Sequence, residues 1–313
     1  MGFADQSSII VDMELPAQSP VPIVDAFSQL TIDRDGIEVP MPRAALRDTD
    51  SLAAWPSTDI VGHLFTKDAG RAERDRIMGD LGLWLANLDS WGIARAQVPL
   101  NFGTADEVFD RLSEHSDRVF VSLRVDPHDG MAAVRRIDDL AGRYPILRSV
   151  MIVPHMLYPH IAPNSREYYP VYSKCIERDL AVMINVGFPG PRVPAWTQNP
   201  IHLDEVCWFF PDLRVVFKHG GEPWTDTCVK MMQTWPNVYF ATSGFAPKYY
   251  PRAVIDHANR RGSDKVIFAG YWPMLSYERI FSEVGELPLR DHVWPKFLSE
   301  NAQKAFALAP ATP

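Results

Sequence analysis

The sequence predicts an α/β fold, a single (β/α)8 TIM barrel with a long loop insertion after its first strand and extra C-terminal helices. Eight short runs rich in β-branched and aliphatic residues recur along the 313 residues, and amphipathic helical patterns separate most of them. A helix between two strands returns the chain to the same end of the sheet, so consecutive strands are expected to be parallel. Eight such units close a barrel.

The candidate strands share a dense content of Val, Ile and Phe, as expected for strands buried on both faces. In chain order they are VPIVDAF (21–27), GIARAQVPL (92–100), RVFVSLRVD (118–126), ILRSVMIVP (146–154), AVMINVG (181–187), RVVFKHG (214–220), VYFATSG (238–244) and VIFAGYW (266–272).

The helical patterns between the strands begin on a capping or turn residue and end near Pro, Gly or Asp. They include TADEVFDRLSEHS, GMAAVRRIDDLAGRYP and NPIHLDEVCWFFPD. Two more helices, SYERIFSEV and WPKFLSENAQKAFAL, follow the last strand. The second is expected to pack across the outside or the base of the barrel.

Two segments depart from the repeat. Residues 28–75 form a polar connection with three prolines and a short element at VGHLF. This is far longer than the usual βα loop of about 2–6 residues, so we predict a lid. Residues 1–18 are expected to be flexible, and residues 19–313 to form the one barrel domain.

The charge balance favours a small-molecule substrate. The chain has 31 Lys and Arg against 39 Asp and Glu, with no basic run, which argues against nucleic acid or an anionic membrane as partner. Neither a secretory signal pattern nor a spanning apolar stretch is found, so a cytoplasmic location is expected. The three cysteines lack paired spacing and are expected to be buried thiols.

Chemistry in such barrels is carried by side chains at the C-terminal strand ends, where they converge on one pocket. The residues at these ends, in chain order, are Asp25, Phe27, Gln29, Arg124, Asp126, His155, Asn185, Lys218, His219, Glu222, Ser243, Tyr271 and Trp272.

His219 is the leading candidate for acid/base chemistry. Imidazole titrates near neutrality, and the following Gly220 and Gly221 allow a close approach of backbone or substrate. The alternative is a structural histidine with its hydrogen bonds satisfied. Lys218, its neighbour on the strand, is expected to point to the other face and to pack against a helix.

Three other strand-end residues have two interpretations each. Tyr271 could donate a proton or stabilise an oxyanion, or simply be a buried phenol bonded to a carbonyl. Arg124 could clamp a carboxylate or pair with Asp126. Asn185 could hold a carbonyl or amide. Asp25 is expected to buttress the barrel.

Long blocks of the chain resemble one enzyme family. The blocks are RVDPHDGMAAVRRI, the stretch from REYYP to GGEPW (166–224), VIFAGYWPMLSYERI and FLSENAQKAFAL. They resemble the amidohydrolase-2 family, which includes aminocarboxymuconate semialdehyde decarboxylase, γ-resorcylate decarboxylase and pyrone dicarboxylate lactonase. The resemblance runs from about residue 80 to 308, with the first strand added, and independently implies a barrel.

The resemblance breaks at the metal. Members of the family typically hold a divalent metal through H-x-H or E-x-H after the first strand, a histidine from the fifth and an aspartate from the eighth. The matching positions here are Phe27, Gln29, Asn185 and Tyr271. None is a good donor to Zn²⁺ or Mn²⁺, so we predict no metal and no cofactor. His219, in KHGG, is retained and resembles the family's general acid/base.

The predicted function is a metal-independent hydrolase or carbon–carbon lyase, of decarboxylase or retro-aldol type. Its expected substrate is small, cyclic or aromatic, and carries a carboxylate or carbonyl. His219 is the expected general acid/base, with Tyr271 and Asn185 as catalytic partners. The expected substrate-binding residues are Phe27, Gln29, Arg124, His155, Trp196, Glu222, Ser243 and Trp272.

Three alternatives stay open at this point. The barrel could be catalytically inactive and serve as a ligand-binding or scaffolding protein. A metal could be kept through rearranged ligands drawn from His155, His63, Glu222 and Asp25. Related barrels are often dimers, so the sequence also leaves a homodimer open.

Overall fold

The computed structural model describes residues 22–31, 41–55 and 70–311. Its centre is one sheet of eight strands in the order β1 to β8, each parallel to the next. The strands are β1 (Ile23–Asp25), β2 (Ile93–Leu100), β3 (Val119–Arg124), β4 (Leu147–Ile152), β5 (Ala181–Asn185), β6 (Val215–Lys218), β7 (Val238–Ala241) and β8 (Val266–Ile267). Each lies within a run predicted from sequence, and the predicted fold class is confirmed.

The first and last strands join through backbone hydrogen bonds. The amide of Ala26 donates to the carbonyl of Phe268 (3.1 Å), and that of Tyr271 donates to the carbonyl of Phe27 (3.1 Å). Ser28 and Trp272 also form a parallel bridge. These bonds close the sheet on itself.

The helices follow the strands in alternation. They are α1 (Thr49–Ala54), α2 (Arg71–Met78), α3 (Leu81–Ser90), α4 (Asp106–Ser113), α5 (Met131–Arg143), α6 (Tyr169–Glu177), α7 (His202–Phe209), α8 (Thr225–Thr234), α9 (Arg252–Ala258), α10 (Tyr277–Val284) and α11 (Asn301–Ala305). The sequence-predicted helices correspond to α4, α5, α7, α10 and α11.

Strand alternation divides the core in two. On β5, Val182 and Ile184 pack in the outer cluster against the helices, whereas Ala181 and Met183 pack in the inner cluster of the barrel. Successive side chains of a strand point to opposite faces, which places Asn185 on the inner side.

The C-terminal helix closes the base of the barrel. A π-helical turn (Lys296–Glu300) leads into α11. Ala302, Ala305 and Phe306 pack in the inner cluster, and the ring centroids of Phe306 and Phe120 are 5.1 Å apart. Of the two locations expected from sequence, the structure selects the base.

Residues 41–55 of the insertion lie on the loops that follow β4 and β5. A 3-10 turn (Arg43–Ala45) and α1 form a small cluster that packs against Met156 and Val193. The guanidinium of Arg192 bridges the carboxylates of Asp48 (2.8 Å) and Asp50 (3.0 Å). Residues 41–55 therefore rest on the C-terminal side of the barrel.

Several predictions fall outside the described residues. They are the flexible segment 1–18, the element VGHLF with His63, and the parts of the proposed lid at 32–40 and 56–69. Within the described residues, Cys175, Cys207 and Cys228 are buried free thiols, and none of the helices is long and apolar enough to span a bilayer.

Candidate active site

Three rings meet at the C-terminal ends of β1, β6 and β8. The centroid of His219 lies 5.3 Å from that of Phe27 and 5.0 Å from that of Tyr271, edge to face in both cases. The centroids of Phe27 and Tyr271 are 5.5 Å apart. The structure thus brings together the predicted acid/base histidine and the residues at two of the family's metal-ligand positions.

The backbone turns sharply where these rings are presented. Directly after β6, His219, Gly220 and Gly221 have φ values of 70°, 86° and 76°, and Tyr271 after β8 has φ 60°. Non-glycine residues adopt this left-handed region at a cost, and such strain clusters at functional sites. The turn at His219 ends the strand alternation and directs the ring toward Phe27 and Tyr271.

The imidazole of His219 is held by Ser243, one strand along. The Ser243 Oγ lies 3.0 Å from the His219 Nδ1. Burial lowers the pKa of His219 well below its usual 6.5, and the neighbouring positive charge of Lys218 lowers it further. The ring is therefore neutral at pH 7, with one of its two nitrogens unprotonated.

Lys218 lies inside the barrel, which corrects the prediction that it points outward against a helix. Val216 packs in the inner cluster, and Lys218, two positions on, shares its face. The Lys218 Nζ lies 4.5 Å from the centroid of the Phe27 ring and 3.0 Å from the Met151 Sδ. Sequence reasoning assumed that His219 faced inward by alternation, but it reaches the site through its positive φ instead.

The Lys218 ammonium is buried without an acidic partner. The side chain is 1% exposed, and among the described residues no carboxylate lies within ion-pair distance of it. Burial, aided by the charge of Arg124, lowers the pKa of Lys218 from 10.5 to about 7. Sequence reasoning had placed this amine outside the site.

Arg124 reaches the same region from β3. Its Nη2 lies 2.6 Å from the Sδ of Met156, a residue that packs against the inner cluster. Asp126, the partner considered from sequence, accepts a hydrogen bond from the backbone amide of His128 (2.9 Å).

His155 follows β4 and is buried. Its Nδ1 lies 2.7 Å from the Gln198 Oε1, and the Gln198 Nε2 donates to the carbonyl of Gly187 (2.7 Å). Burial lowers the pKa of His155 to about 4, so the ring is neutral at pH 7. Its Nε2 is buried and has no hydrogen-bond partner among the described residues.

Asn185 lies beside Lys218, because the two residues are register partners on β5 and β6. The Asn185 side chain is 6% exposed, and its Oδ1 has no hydrogen-bond partner within the described part of the chain. A buried acceptor without a donor costs free energy, so a ligand that donates a hydrogen bond to this oxygen would be stabilised. The role of Asn185 as a hydrogen-bonding residue stays a prediction.

Four further predicted residues are Trp272, Trp196, Glu222 and Gln29. Trp272 stacks on Tyr277 (6.0 Å between centroids) in the outer cluster. Trp196 is 47% exposed, with its edge on His202. Glu222 is exposed. Gln29 is partly buried, and its backbone amide donates to the carbonyl of Trp272 (2.9 Å).

Asp25 supports the site from outside the barrel wall. Its carboxylate accepts hydrogen bonds from the amides of Phe27 (2.9 Å) and Gly270 (2.8 Å) and from the hydroxyl of Tyr277 (2.8 Å). Burial raises the pKa of Asp25 to about 6. The carboxylate therefore fixes the two segments that carry Phe27 and Tyr271, which is the buttress expected from sequence.

The donor set at these strand ends does not fit a divalent metal. Among the described residues, no three His, Cys, Asp or Glu side chains are close enough to share an ion. The Phe27 ring offers no donor, and the buried ammonium on its face would repel a cation. Of the rearranged ligands considered from sequence, His155 is buried, Glu222 is exposed and Asp25 bonds Tyr277.

Comparison with known proteins identifies sequence relatives at the family level. A sequence model described as Amidohydrolase matches residues 89–308. No curated protein sequence matches the chain.

Solved structures share the fold. An uncharacterized TIM-barrel protein from Bordetella bronchiseptica is 19% identical (TM-score 0.69; 91% of this chain and 98% of that one covered). 5-Carboxyvanillate decarboxylase from Sphingomonas paucimobilis is 16% identical (TM-score 0.65; 92% and 100%). The enzyme of that name from Novosphingobium aromaticivorans, complexed with manganese and 4-hydroxy-3-methoxy-5-nitrobenzoic acid, is 17% identical (TM-score 0.67; 95% and 99%).

Proposed function

The chain belongs to the amidohydrolase family, and on that basis we propose that it is a carbon–carbon lyase that decarboxylates a small hydroxyaryl carboxylic acid without a divalent metal. His219 is the group that moves the proton. Two of the similar structures are decarboxylases of an aromatic carboxylate, which favours loss of CO2 over hydrolysis.

One observation carries the metal-independent part of the proposal. The rings of Phe27 and Tyr271 occupy the ends of β1 and β8 against His219, and the Lys218 ammonium lies on the Phe27 ring. Positive charge at this site thus comes from the protein itself. Fixed charge in a water-poor site acts strongly on a substrate anion.

Decarboxylation of a hydroxyaryl acid requires a proton at the ring carbon that carries the carboxylate. Neutral His219 accepts the proton of the ortho hydroxyl, and the resulting imidazolium returns it to that carbon, which gives a ring ketone. The bond between the ring carbon and the carboxylate then breaks and CO2 leaves. The electron pair of the broken bond restores the aromatic ring as a phenolate. One proton from solvent regenerates the hydroxyl, so the net change is uptake of one proton and loss of one CO2.

Two features of the site suit this sequence. A ring nitrogen with a low pKa gives a strongly acidic imidazolium, which is what carbon protonation demands. Burial raises the pKa of Tyr271 to about 12, so its phenol stays protonated and can donate to the developing ketone oxygen.

The experiment measures CO2 release from a panel of mono- and dihydroxybenzoic acids by protein purified in the presence of a chelator. We expect turnover that added manganese does not raise, with metal content far below one equivalent. His219→Asn should lower kcat by about 100-fold or more. Turnover that requires manganese would contradict metal independence. Ligand binding without turnover of any acid would favour the non-catalytic alternative.

A further inference from the structure

The barrel interior holds a cation and a lone pair that no described residue satisfies. We propose that Lys218 and His155 form a substrate subsite, in which the Lys218 ammonium binds the carboxylate and the His155 Nε2 accepts a hydrogen bond from a second hydroxyl of the substrate. This inference rests on the proposed function and names its substrate more closely, as a dihydroxyaryl carboxylate.

Among the residues that the structure describes, no anionic group pairs with Lys218. Its Nζ contacts the Met151 thioether and the face of Phe27, both weak partners for an ammonium. Arg124 adds a second positive charge close enough to shift its pKa. Buried charges in proteins are normally paired, because desolvation is expensive. A substrate carboxylate supplies the missing partner.

The tautomer of His155 follows from its neighbours. The carbonyl of Gly187 can only accept, so the Gln198 atom 2.7 Å from it is the amide nitrogen. The amide oxygen of Gln198 therefore faces the His155 Nδ1, which must carry the hydrogen. In a neutral ring the Nε2 is then a buried acceptor, to which no residue in the described ranges donates.

The two groups belong to one region. His155 feels the charges of both Lys218 and Arg124, which lower its pKa. Asn185, the register partner of Lys218, adds a second buried acceptor on the same inner face. A cation next to two unused acceptors matches a ligand that carries one carboxylate and neutral O–H donors.

The test is a binding titration by calorimetry, with benzoate and 2,6-dihydroxybenzoate as probes and full-length protein. Lys218→Met keeps the length of the side chain and removes the charge. We expect this substitution to lower the affinity for both probes by about 10-fold or more. Lys230→Met on the exposed face of α8 makes the same charge change and should leave both affinities unchanged.

His155→Asn keeps a donor toward Gln198 and removes the Nε2. It should lower the affinity for 2,6-dihydroxybenzoate by about 10-fold and leave the affinity for benzoate unchanged, because only 2,6-dihydroxybenzoate has a hydroxyl to donate. Equal losses of affinity for the two probes in His155→Asn would overturn the subsite. Wild-type affinities in Lys218→Met would also overturn it.

Two further controls keep the result interpretable. If Lys218→Met does not fold, as judged by circular dichroism, Lys218→Gln provides a neutral polar substitute with the same expected loss. Affinity is measured apart from CO2 release, so a protein that binds as expected but never decarboxylates would refute the proposed function and leave the subsite standing.

Discussion

The Ser243 Oγ lies 3.0 Å from the His219 Nδ1, joining the ends of β7 and β6. This bond occupies one ring nitrogen and leaves the other for a ligand. The position of the imidazole is thus set by a neighbouring strand as well as by its own backbone. Orientation of a catalytic imidazole by a second group is a common requirement of acid/base sites.

Ser243→Ala should lower kcat by about 10-fold with little change in KM, because the ring loses its orienting bond but the binding groups stay in place. Steady-state kinetics on an active hydroxybenzoic acid measure this split. Ser282→Ala, on an exposed turn of α10, is the matched control and should behave as wild type. A rise in KM with kcat intact would instead indicate that Ser243 contacts the substrate.

The positive φ of His219 predicts that the backbone is strained at this residue. His219→Gly and His219→Ala both remove the imidazole, but only glycine tolerates φ 70° without strain. The glycine variant should therefore be more stable than the alanine variant by about 1 kcal/mol, with both inactive. Urea unfolding measures the difference, and equal stability of the two variants would show that the backbone relaxes.

Asp25 predicts a pH-dependent stability term. Burial raises the pKa of its folded-state carboxyl from 3.8 to about 6. The folded protein therefore holds a proton that the unfolded chain releases, so this contribution is complete below pH 3.8 and is lost as the pH rises to about 6. The shift corresponds to about 3 kcal/mol.

Asp25→Asn keeps the acceptor for Phe27 and Gly270 and does not titrate. Between pH 4 and 7, the stability of wild type relative to this variant should fall by up to about 3 kcal/mol. Chemical unfolding at several pH values in that range provides the measurement. A constant difference between the two proteins would show that Asp25 does not titrate there.

Affinity for anions should fall at alkaline pH. Lys218 has a pKa of about 7 in the free protein, and only its protonated form attracts a carboxylate. Of the described groups around it, Arg124 stays charged, while His155 and His219 are neutral from pH 7 upward. Benzoate affinity should therefore fall by about 10-fold per pH unit above 7. Lys218→Met should lose this dependence.

The fold could be predicted from sequence because its signal repeats. Each strand of the barrel is buried on both faces and reads as an apolar run, and the eight runs recur with helices between them. The observed strands are shorter than the runs, and most of them end before the C-terminal residues of the run, where the backbone leaves the extended conformation. At 266–272, for example, β8 ends at Ile267, and Tyr271 lies beyond it with a positive φ.

The site was predicted less completely. The strand-end positions indicated His219, Phe27 and Tyr271, whose rings are in contact in the structure. Lys218 was excluded because alternation was counted from His219, a residue that no longer obeys it. The packing of Val216 in the inner cluster shows that Val216 and Lys218 point into the barrel. Trp272 follows the left-handed turn at Tyr271, so strand alternation does not predict that its side chain packs on Tyr277.

Because α11 and Phe306 close the base of the barrel, ligands can enter and leave only at the other end. With the N-terminal end filled by the contact of Phe306 on Phe120, whatever reaches Lys218 enters and leaves at the opposite end. Under the proposed function, the aryl product departs along the path by which the next substrate arrives. Product is therefore expected to inhibit competitively, and CO2, the smaller molecule, to escape first.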